Sequence, residues 1–188
     1  MELKKGFLIL LAMVVLTGVV YPLVVTGVGQ LFFNHQANGS LITGDGKIIG
    51  SELVAQKFEA PLYFVPRPSA IDYNAATSGG TNNGPTSEAL KSEVRQNISM
   101  AKKLFGLKES DQVPADMVTS SGSGLDPEIS FDSAVIQAKS VANARKIAET
   151  EIIKLVEEQT TKDLVSPRRV NVLLLNLELD RLFPKGTK

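Results

Sequence analysis

The hydrophobic pattern of the chain begins with an uninterrupted apolar stretch near its N-terminus. From Phe7 to Phe33 there are 27 consecutive residues without a charge, and 20 of them are apolar. As an α-helix this run would extend for about 40 Å, which exceeds the roughly 30 Å of bilayer hydrocarbon. A cleaved signal peptide has a shorter apolar region that ends in a small-x-small motif, whereas this run ends in Leu31-Phe32-Phe33. The pattern therefore predicts a retained transmembrane helix over residues 7–33.

The charges that flank this helix predict its orientation. Lys4 and Lys5 precede the helix, and the first cation after it is Lys47. Because positively charged segments remain on the cytoplasmic side, residues 1–6 are expected in the cytoplasm and residues 34–188 outside it. The protein is thus predicted to cross the membrane once.

One face of the predicted helix carries small and helix-breaking residues. Gly18, Pro22, Thr26 and Gly29 follow one another at spacings of four, four and three residues. Such a face lets a neighbouring helix approach closely, and Pro22 frees a backbone carbonyl that a neighbour can satisfy. Tyr21 lies near the middle of the membrane, where its hydroxyl requires a partner. We expect this face to pack against partner helices, and the alternative is a lone anchor.

The residues after the anchor predict a small α+β domain. A short strand is expected at Lys47–Ile49, followed by a short helix over residues 51–58 with Ser51 as its N-cap. The next helix is clearer, since it has a helical stripe of apolar residues, a proline near its start and a glycine after its end. The stripe consists of Leu90, Val94, Ile98, Ala101 and Phe105.

The C-terminal third predicts a long helix and a buried strand. Ser130 is the expected N-cap of a helix over about residues 131–160, and Arg145 falls within its apolar stripe. A charge in that position either extends to solvent, pairs with an acid or contacts a ligand. Residues 170–175 read VNVLLL, which suits a buried strand, and Leu177–Phe183 is expected to form a final helical turn or two.

Two long segments lack a helical or strand period, and they contain the candidate interaction residues. Residues 60–87 are rich in turn formers but also contain aromatic side chains, which favours an ordered binding loop over disorder. Within residues 106–130, the SGSGLDP stretch offers hydroxyls and backbone N–H groups to an anion, or it simply turns the chain. The candidates for contacts of the external domain are Arg67, Ser69, Asn82, Asn83 and Arg145, and those for a cofactor are Ser121, Ser123, Gly124 and Asp126.

Composition excludes several classes of protein. Twenty basic residues balance twenty acidic residues, so the chain lacks the basic surface expected of a nucleic-acid-binding protein. It has no cysteine and one histidine, His35, which rules out thiolate and polyhistidine metal sites. Neither glycine-rich segment has the lysine of a Walker P-loop. An accessory, non-catalytic subunit fits this profile better than an enzyme, and the alternatives are a membrane-tethered external hydrolase and a solute-binding protein.

An ordered set of motifs covers nearly the whole chain. It comprises GSELVAQKF (50–58), YFVPRPSAIDYN (63–74), SGGTNNGPTS (78–87), PADMVTSSGSGLDPEIS (114–130), VANAR (141–145) and RVNVLLLNLELD (169–180). With its N-terminal anchor, the chain closely resembles the C-subunit family of the Kdp potassium-transporting ATPases. Glu128 departs from the family pattern, in which many relatives have histidine, and no imidazole role can be assigned to that position.

The resemblance implies a subunit of a bacterial inner-membrane complex that hydrolyses ATP to import potassium. The implied partners are a channel-like potassium-binding subunit and a P-type ATPase subunit. The family has been described as a catalytic chaperone that raises the ATP affinity of the pump subunit, so ATP is implied by resemblance only and no tightly bound cofactor is expected. Because ATP is cytoplasmic and the domain is predicted outside, we favour an external cap over the potassium entrance.

Overall fold

The computed structural model describes residues 2–161, 163 and 165–184. Met1, Lys162, Leu164 and residues 185–188, which belong to the predicted N-terminal segment and external domain, lie outside the described residues. The chain divides into two compact units, Met1–Ile49 and Gly50–Lys188. The first unit thus contains residues 34–49 as well as the apolar helix, whereas the sequence placed the start of the external domain at residue 34.

The first unit is dominated by one long apolar helix, as predicted. It runs from Glu2 to Phe32, has a mean hydropathy of 2.7 over its most apolar window and buries none of that window within the chain. It consists of α1 (Glu2–Val15), a π-helical turn (Leu16–Val20) and α2 (Tyr21–Phe32). By length and composition this helix is able to cross a bilayer.

The π-helical turn has a chemical cause at Pro22. Proline has no N–H to donate to the carbonyl four residues earlier, which belongs to Gly18, and its ring crowds that carbonyl. The Tyr21 N–H donates to Leu16 O, five residues back, instead of to Thr17 O. The carbonyls of Thr17 and Gly18 therefore both lose their regular α-helical donors.

A short helix and a hairpin complete the region after the apolar helix. They are α3 (Asn34–Ala37), β1 (Leu41–Gly44) and β2 (Lys47–Ser51), and the two strands pair with each other. Asp45 and Gly46 join the strands with φ values of 49° and 74°, the left-handed conformations of a tight hairpin turn. The strand predicted at Lys47–Ile49 is confirmed, and β1 was missed.

The helix predicted over residues 51–58 is wrong. The Ser51 hydroxyl accepts a hydrogen bond from the Leu53 N–H at 3.1 Å, which closes a local turn instead of capping a helix. Further on, the Ala55 N–H donates to Leu125 O at 2.9 Å. The backbone donors that a helix would use are thus engaged elsewhere.

The amphipathic helix after the first long irregular segment is confirmed as α4 (Glu88–Phe105). Its N-cap is Ser87, which accepts from the Leu90 N–H, and Gly106 ends it in the left-handed conformation with φ 65°. A single turn, α5 (Ala115–Val118), follows.

The single helix predicted over residues 131–160 is instead two helices, α6 (Phe131–Arg145) and α7 (Glu149–Gln159), which pack on each other. Ser130 caps α6, as predicted. The break occurs at Lys146, which adopts the left-handed conformation with φ 59° and whose N–H donates to Ala142 O and Asn143 O. Glycine usually occupies such a position, so the sequence carries no stop signal here.

The strand predicted over residues 170–175 is also mostly wrong. Only Arg169–Asn171 is extended, as β4, and it pairs antiparallel with β3 (Glu128–Ser130), with Ile129 opposite Val170. The helix α8 (Val172–Leu182) begins directly afterwards, because the Asn171 side chain accepts from the Leu174 N–H and caps it. A short apolar run is equally compatible with a buried strand and a buried helix.

The core of the second unit lies where α6, α7, α8 and the small β3–β4 sheet meet. Its buried apolar residues include Phe64 from the long irregular segment, which is fully buried. The remaining members are Ile129, Ala134, Ala138, Val141, Ala142, Ile152, Leu155, Val156, Val170, Val172, Leu175 and Leu179. The α+β class is therefore confirmed, with most of the regular structure helical.

Candidate functional site

The candidate site lies where two irregular segments of the second unit meet. We call residues 60–87 the first loop and residues 119–127 the second loop. Six of the sequence candidates lie where the loops touch, and we call them the loop junction: Arg67, Ser69, Ser121, Ser123, Gly124 and Asp126. Pro68, Gly79 and Ser120, which were not candidates, also contribute contacts between the loops. The fold thus brings the six candidates together.

The first loop is fastened to the helices by two buried amide side chains. Asn176 on α8 donates to Phe64 O at 2.8 Å and accepts from the Phe64 N–H at 3.0 Å. Gln137 on α6 donates to Val65 O at 3.1 Å and accepts from the Val65 N–H at 2.8 Å. Together the two side chains replace the pairing that a β-strand would provide. The Phe64–Val65 segment of the irregular loop is thus held against the helices, as an ordered binding loop requires.

Arg67 faces the second loop. Its Nη1 donates to Asp126 Oδ2 at 3.0 Å, and its Nη2 contacts Ser120 O at 3.4 Å. The two charged side chains are 26% and 31% exposed, so solvent still reaches the pair. The Tyr73 hydroxyl donates to Arg67 O at 2.8 Å and holds the backbone of this segment. The guanidinium is therefore presented together with a carboxylate, as a neutral pair.

Ser69 and Gly124 join the two loops through a side-chain hydrogen bond. The Ser69 hydroxyl donates to Gly124 O at 2.7 Å and accepts from the Tyr73 N–H at 3.0 Å. Gly124 has a φ of 71°, and a Cβ on it would lie 2.6 Å from Ile71 Cγ1 and 2.9 Å from Gly79 O. Only glycine fits this position without displacing the first loop.

The serines of the second loop are engaged in the same contact. Ser121 is buried, and its N–H donates to Pro68 O at 3.3 Å. Ser123 accepts from the Gly79 N–H through its backbone carbonyl at 2.9 Å and from the Leu125 N–H through its hydroxyl at 3.1 Å. The Ser121 N–H and the Ser123 carbonyl join the two loops, and the Ser123 hydroxyl closes a turn within the second loop, so these groups do not line an open anion nest.

This arrangement does not fit a nucleotide phosphate. The cation that contacts the second loop, Arg67, already pairs with Asp126, and the serine groups described above have partners. Within the described residues there is also no group of three histidine or acidic side chains arranged to hold a metal ion. ATP binding therefore stays an expectation from the resemblance.

Asn82 and Asn83 lie away from these contacts, in a stretch of the first loop without regular structure. Asn82 is exposed and has a φ of 53°, which asparagine tolerates better than most residues. Among the described residues, neither side chain has a hydrogen bond to Arg67 or Ser69. Their predicted role in external contacts stays a prediction.

Arg145 pairs with an acidic residue of the protein, Asp180. This is one of the three alternatives that the sequence left open for its charge. Its side chain is only 4% exposed, and Nη2 donates to Asp180 Oδ1 at 2.7 Å. The other guanidinium groups donate to Leu62 O at 2.8 Å and Phe183 O at 3.0 Å. Tyr63 lies under the guanidinium at 4.7 Å and donates its hydroxyl to Asp180 Oδ2 at 2.6 Å. Arg145 thus ties the first loop to α6 and α8.

Two polar contacts that the sequence did not reveal connect α4 to the second loop and to the end of α5. The Ser120 hydroxyl donates to Glu93 Oε1 at 2.8 Å, and Asn97 donates to Val118 O at 2.9 Å. Both α4 residues lie on the polar flank of an amphipathic helix, where nothing in the pattern distinguishes a contact from a solvated side chain.

Beside the loop junction, the electrostatic environment acts on Tyr73, whose hydroxyl donates to Arg67 O. Burial raises the pKa of its phenol above the ordinary value of 10.0, and the negative charge of Asp72 raises it further. The neutral phenol is therefore retained as the donor to Arg67 O.

Glu128, where the resemblance leads us to expect histidine, is the first residue of β3. Its Oε2 forms an ion pair with Arg169 Nη1 on the neighbouring strand at 3.1 Å, and both side chains are partly exposed. An acidic residue is thus accommodated here by a cross-strand cation.

The predicted partner-binding face of the apolar helix is only partly regular. Pro22, Thr26 and Gly29 lie in α2, where the helical spacing holds, and the Tyr21 side chain that precedes them is exposed. Gly18 lies in the π-helical turn, where that spacing does not apply. A Cβ added at Gly18 would meet nothing within 4 Å. The helix therefore presents an open surface beside the two carbonyls that lack their α-helical donors.

Comparison with known proteins covers almost the whole chain. A family model described as KdpC, the K⁺-transporting ATPase c chain, matches residues 3–181. A Mycobacterium tuberculosis (H37Rv) protein named potassium-transporting ATPase KdpC subunit is 48% identical over 186 residues, covering 96% of this chain and 98% of the relative. Proteins of the same name from Paraburkholderia phytofirmans and Caldanaerobacter subterraneus are 49% and 47% identical, covering 88% and 100% of this chain and 89% and 98% of the relatives.

Proposed function

The chain belongs to the KdpC family, the C subunits of the K⁺-transporting Kdp ATPases, and from this premise we propose that its second unit caps the potassium entrance of the complex outside the cytoplasm. It is an accessory subunit of the potassium-transporting complex and carries one apolar helix able to span the membrane. Our proposal adds the side of the membrane, the position of the cap and the way the helix is held.

The orientation rests on the distribution of cations. Lys4 and Lys5 lie at the start of the apolar helix, and no further lysine or arginine occurs before Lys47. The positive-inside rule then places the N-terminus in the cytoplasm and the second unit on the opposite face.

The single observation that carries the cap is the locked first loop. A long segment without helix or strand would ordinarily fluctuate. Here the buried amides of Asn176 and Gln137, the Arg145 side chain and the loop junction hold it. Ordering such a loop in advance lowers the entropy lost when it binds a partner. The junction presents the Arg67–Asp126 pair with no nucleophile–base arrangement, which favours docking against a channel-like subunit over chemistry.

The apolar helix is proposed to hold the subunit in the complex by packing on partner helices. The carbonyls of Thr17 and Gly18 lack their α-helical donors, and hydrocarbon supplies none. A polar side chain of a partner helix would satisfy them, and Gly18 leaves room for its approach.

The ATP-affinity role implied by the resemblance would then be indirect. With the second unit outside, the helix is the part of this chain that reaches the pump subunit from within the membrane. An effect on nucleotide affinity would be transmitted through that packing and not through a phosphate contact of the loops.

An impermeant lysine reagent applied to intact cells tests the orientation. We expect labelling of lysines in the second unit, such as exposed Lys154, and none at Lys4 or Lys5. Lysed cells, in which both sets react, provide the control. Labelling confined to Lys4 and Lys5 in intact cells would refute both the orientation and the cap.

The cap itself is tested by crosslinking from single cysteines, which is possible because the chain has none of its own. A cysteine at exposed Asn82 should crosslink to the channel-like subunit, and one at exposed Glu158 on α7 is the matched control. Equal crosslinking from both positions would contradict a docking face formed by the first loop. A chain that is isolated alone, without larger subunits, would instead favour a solute-binding protein.

A further inference from the structure

We propose that Asn83 is a site of spontaneous deamidation in the folded protein and that Asn38 is protected from it. The chain has two Asn-Gly dipeptides, Asn38-Gly39 and Asn83-Gly84. The sequence does not distinguish them, since both have the small following residue that allows ring closure. The structure treats them differently, and this inference does not depend on the proposed function.

The reaction requires only the chain and water. The backbone nitrogen of the glycine attacks Cγ of the asparagine, the bond from Cγ to the side-chain nitrogen breaks, and ammonia leaves with the proton from the glycine amide. Water then opens the resulting succinimide at either carbonyl and gives aspartate or isoaspartate. The side-chain amide must be free to turn toward a glycine nitrogen that is not held in another hydrogen bond.

Both requirements are blocked at Asn38. Its Nδ2 donates to Asn34 O at 2.7 Å and to Gln30 Oε1 at 3.1 Å, and its Oδ1 accepts from Gln30 Nε2 at 3.2 Å. The attacking group is engaged as well, because the Gly39 N–H donates to Gln36 O at 3.1 Å. At least four hydrogen bonds must be broken before the ring can close.

Asn83 meets neither obstacle. Among the described residues, no hydrogen bond holds its side-chain amide, and none holds the Gly84 N–H. Gly84 is exposed, and a Cβ built on its Cα would meet nothing within 4 Å, while Asn83 is half-buried, so no neighbouring atom crowds the Gly84 Cα beside the attacking nitrogen. Gly84 does form a hydrogen bond through its carbonyl, which accepts from the Ser87 N–H at 3.0 Å. This bond leaves the Gly84 nitrogen, which is the nucleophile, unengaged.

Deamidation at Asn83 would add one negative charge to the first loop just before the Ser87-capped start of α4. The isoaspartate product would also lengthen the backbone by one carbon atom between Asn83 and the turn closed by Gly84 and Ser87. The fraction of molecules with a deamidated first loop would therefore rise slowly with the age of the protein.

Peptide mapping by mass spectrometry tests the proposal on the full chain in detergent, incubated in mildly alkaline buffer. We expect conversion at Asn83 to exceed conversion at Asn38 by at least about tenfold, the factor that about 1.4 kcal/mol of opening free energy produces. In the same chain unfolded by denaturant, the two sites should react at similar rates, which shows that the difference comes from structure.

Gly84→Ala is the matched variant, because its Cβ meets nothing and its backbone is not left-handed. It should suppress conversion at Asn83 and leave the circular dichroism and thermal unfolding unchanged. The proposal is overturned if Asn38 reacts as fast as Asn83 in the folded chain. It is equally overturned if Asn83 stays intact while the unfolded chain converts.

Discussion

Asn176 and Phe64 are 112 residues apart, yet the side-chain amide of one pairs with both backbone groups of the other, at 2.8 and 3.0 Å. Both residues are almost completely buried. Phe64 contributes its ring to the core while Asn176 satisfies its N–H and C=O. This contact allows an irregular loop to take part in a hydrophobic core without leaving unpaired polar groups in it.

Replacing Asn176 with leucine keeps a similar volume but removes both hydrogen bonds. Two buried backbone groups of Phe64 would be left unpaired, at about 1–3 kcal/mol each. We expect the free energy of unfolding to fall by about 2–6 kcal/mol, measured by urea unfolding of the full chain in detergent. Asn143→Ala, at an exposed position of α6, is the control and should change little. Equal stability of the two variants would show that the paired amide is dispensable.

Arg145→Ala should destabilise the second unit, because it leaves Asp180 without its cation and two carbonyls without donors. Breaking a buried ion pair costs about 3–5 kcal/mol, and we expect about 2–4 because Asp180 is 40% exposed. Arg145→Lys keeps the positive charge but lacks the planar guanidinium and its set of fixed donors, so an intermediate loss of stability is expected.

The comparison variant for Arg145 is Arg181→Ala, which removes an arginine from an exposed pair with Glu178 on α8. It should leave the melting temperature nearly unchanged. If the melting temperature of Arg145→Ala equals that of the wild type, the Arg145 side chain is merely solvated and its contacts do not stabilise the protein.

Gly124→Ala should displace the first loop from the second. The new Cβ would meet Ile71 and the Gly79 carbonyl, and alanine disfavours the φ of 71°. A loss of about 1–3 kcal/mol is expected. Gly122→Ala in the same loop has no such contact and no positive φ, so it should be neutral. Thermal unfolding of both variants, side by side, decides whether the close approach at Gly124 is needed.

The raised pKa of Tyr73 should make the stability of the folded protein depend on pH in the alkaline range. Burial, and then Asp72, raises the pKa of the Tyr73 phenol in the folded state above the ordinary 10.0. The folded state therefore holds the proton more tightly, so this contribution to stability is complete below pH 10.0 and is lost as the pH rises through the folded pKa. Tyr73→Phe should be less stable at neutral pH, by about 1 kcal/mol for the lost hydrogen bond, and less sensitive to alkali. Parallel pH profiles of the two proteins would contradict this assignment.

Gly18→Leu should release the chain from its complex, because a bulky side chain beside the carbonyls that lack their α-helical donors prevents the close approach of a partner helix. Gly27→Leu, in the same apolar helix but outside the predicted face, is the control. The measurement is the amount of the larger subunits that copurifies with each variant. Undiminished copurification of Gly18→Leu would remove the proposed packing.

Several elements were predictable because their signals are local. The amphipathic stripe and its caps identified α4, and Ser130 marked the start of α6. The failures have local causes as well. Lys146 ends α6 in a conformation usually taken by glycine, and the apolar run of residues 170–175 suits a strand and a helix alike. Ser51 has the residue type of an N-cap but closes a turn, since the backbone beyond it bonds to the second loop.

By itself the sequence determined the apolar helix, the α+β class, the family and the individual junction residues, since charge, hydrophobic period and ordered motifs are properties of neighbours in the chain. Tertiary structure alone decided which of those residues meet. Arg67 pairs with Asp126, which is 59 residues away in the sequence. Gln137 and Asn176 bind the first loop, which is 72 and 112 residues away from them at the points of contact. The physical reason is that a buried polar group must be paired, and the identity of its partner depends on how the helices pack.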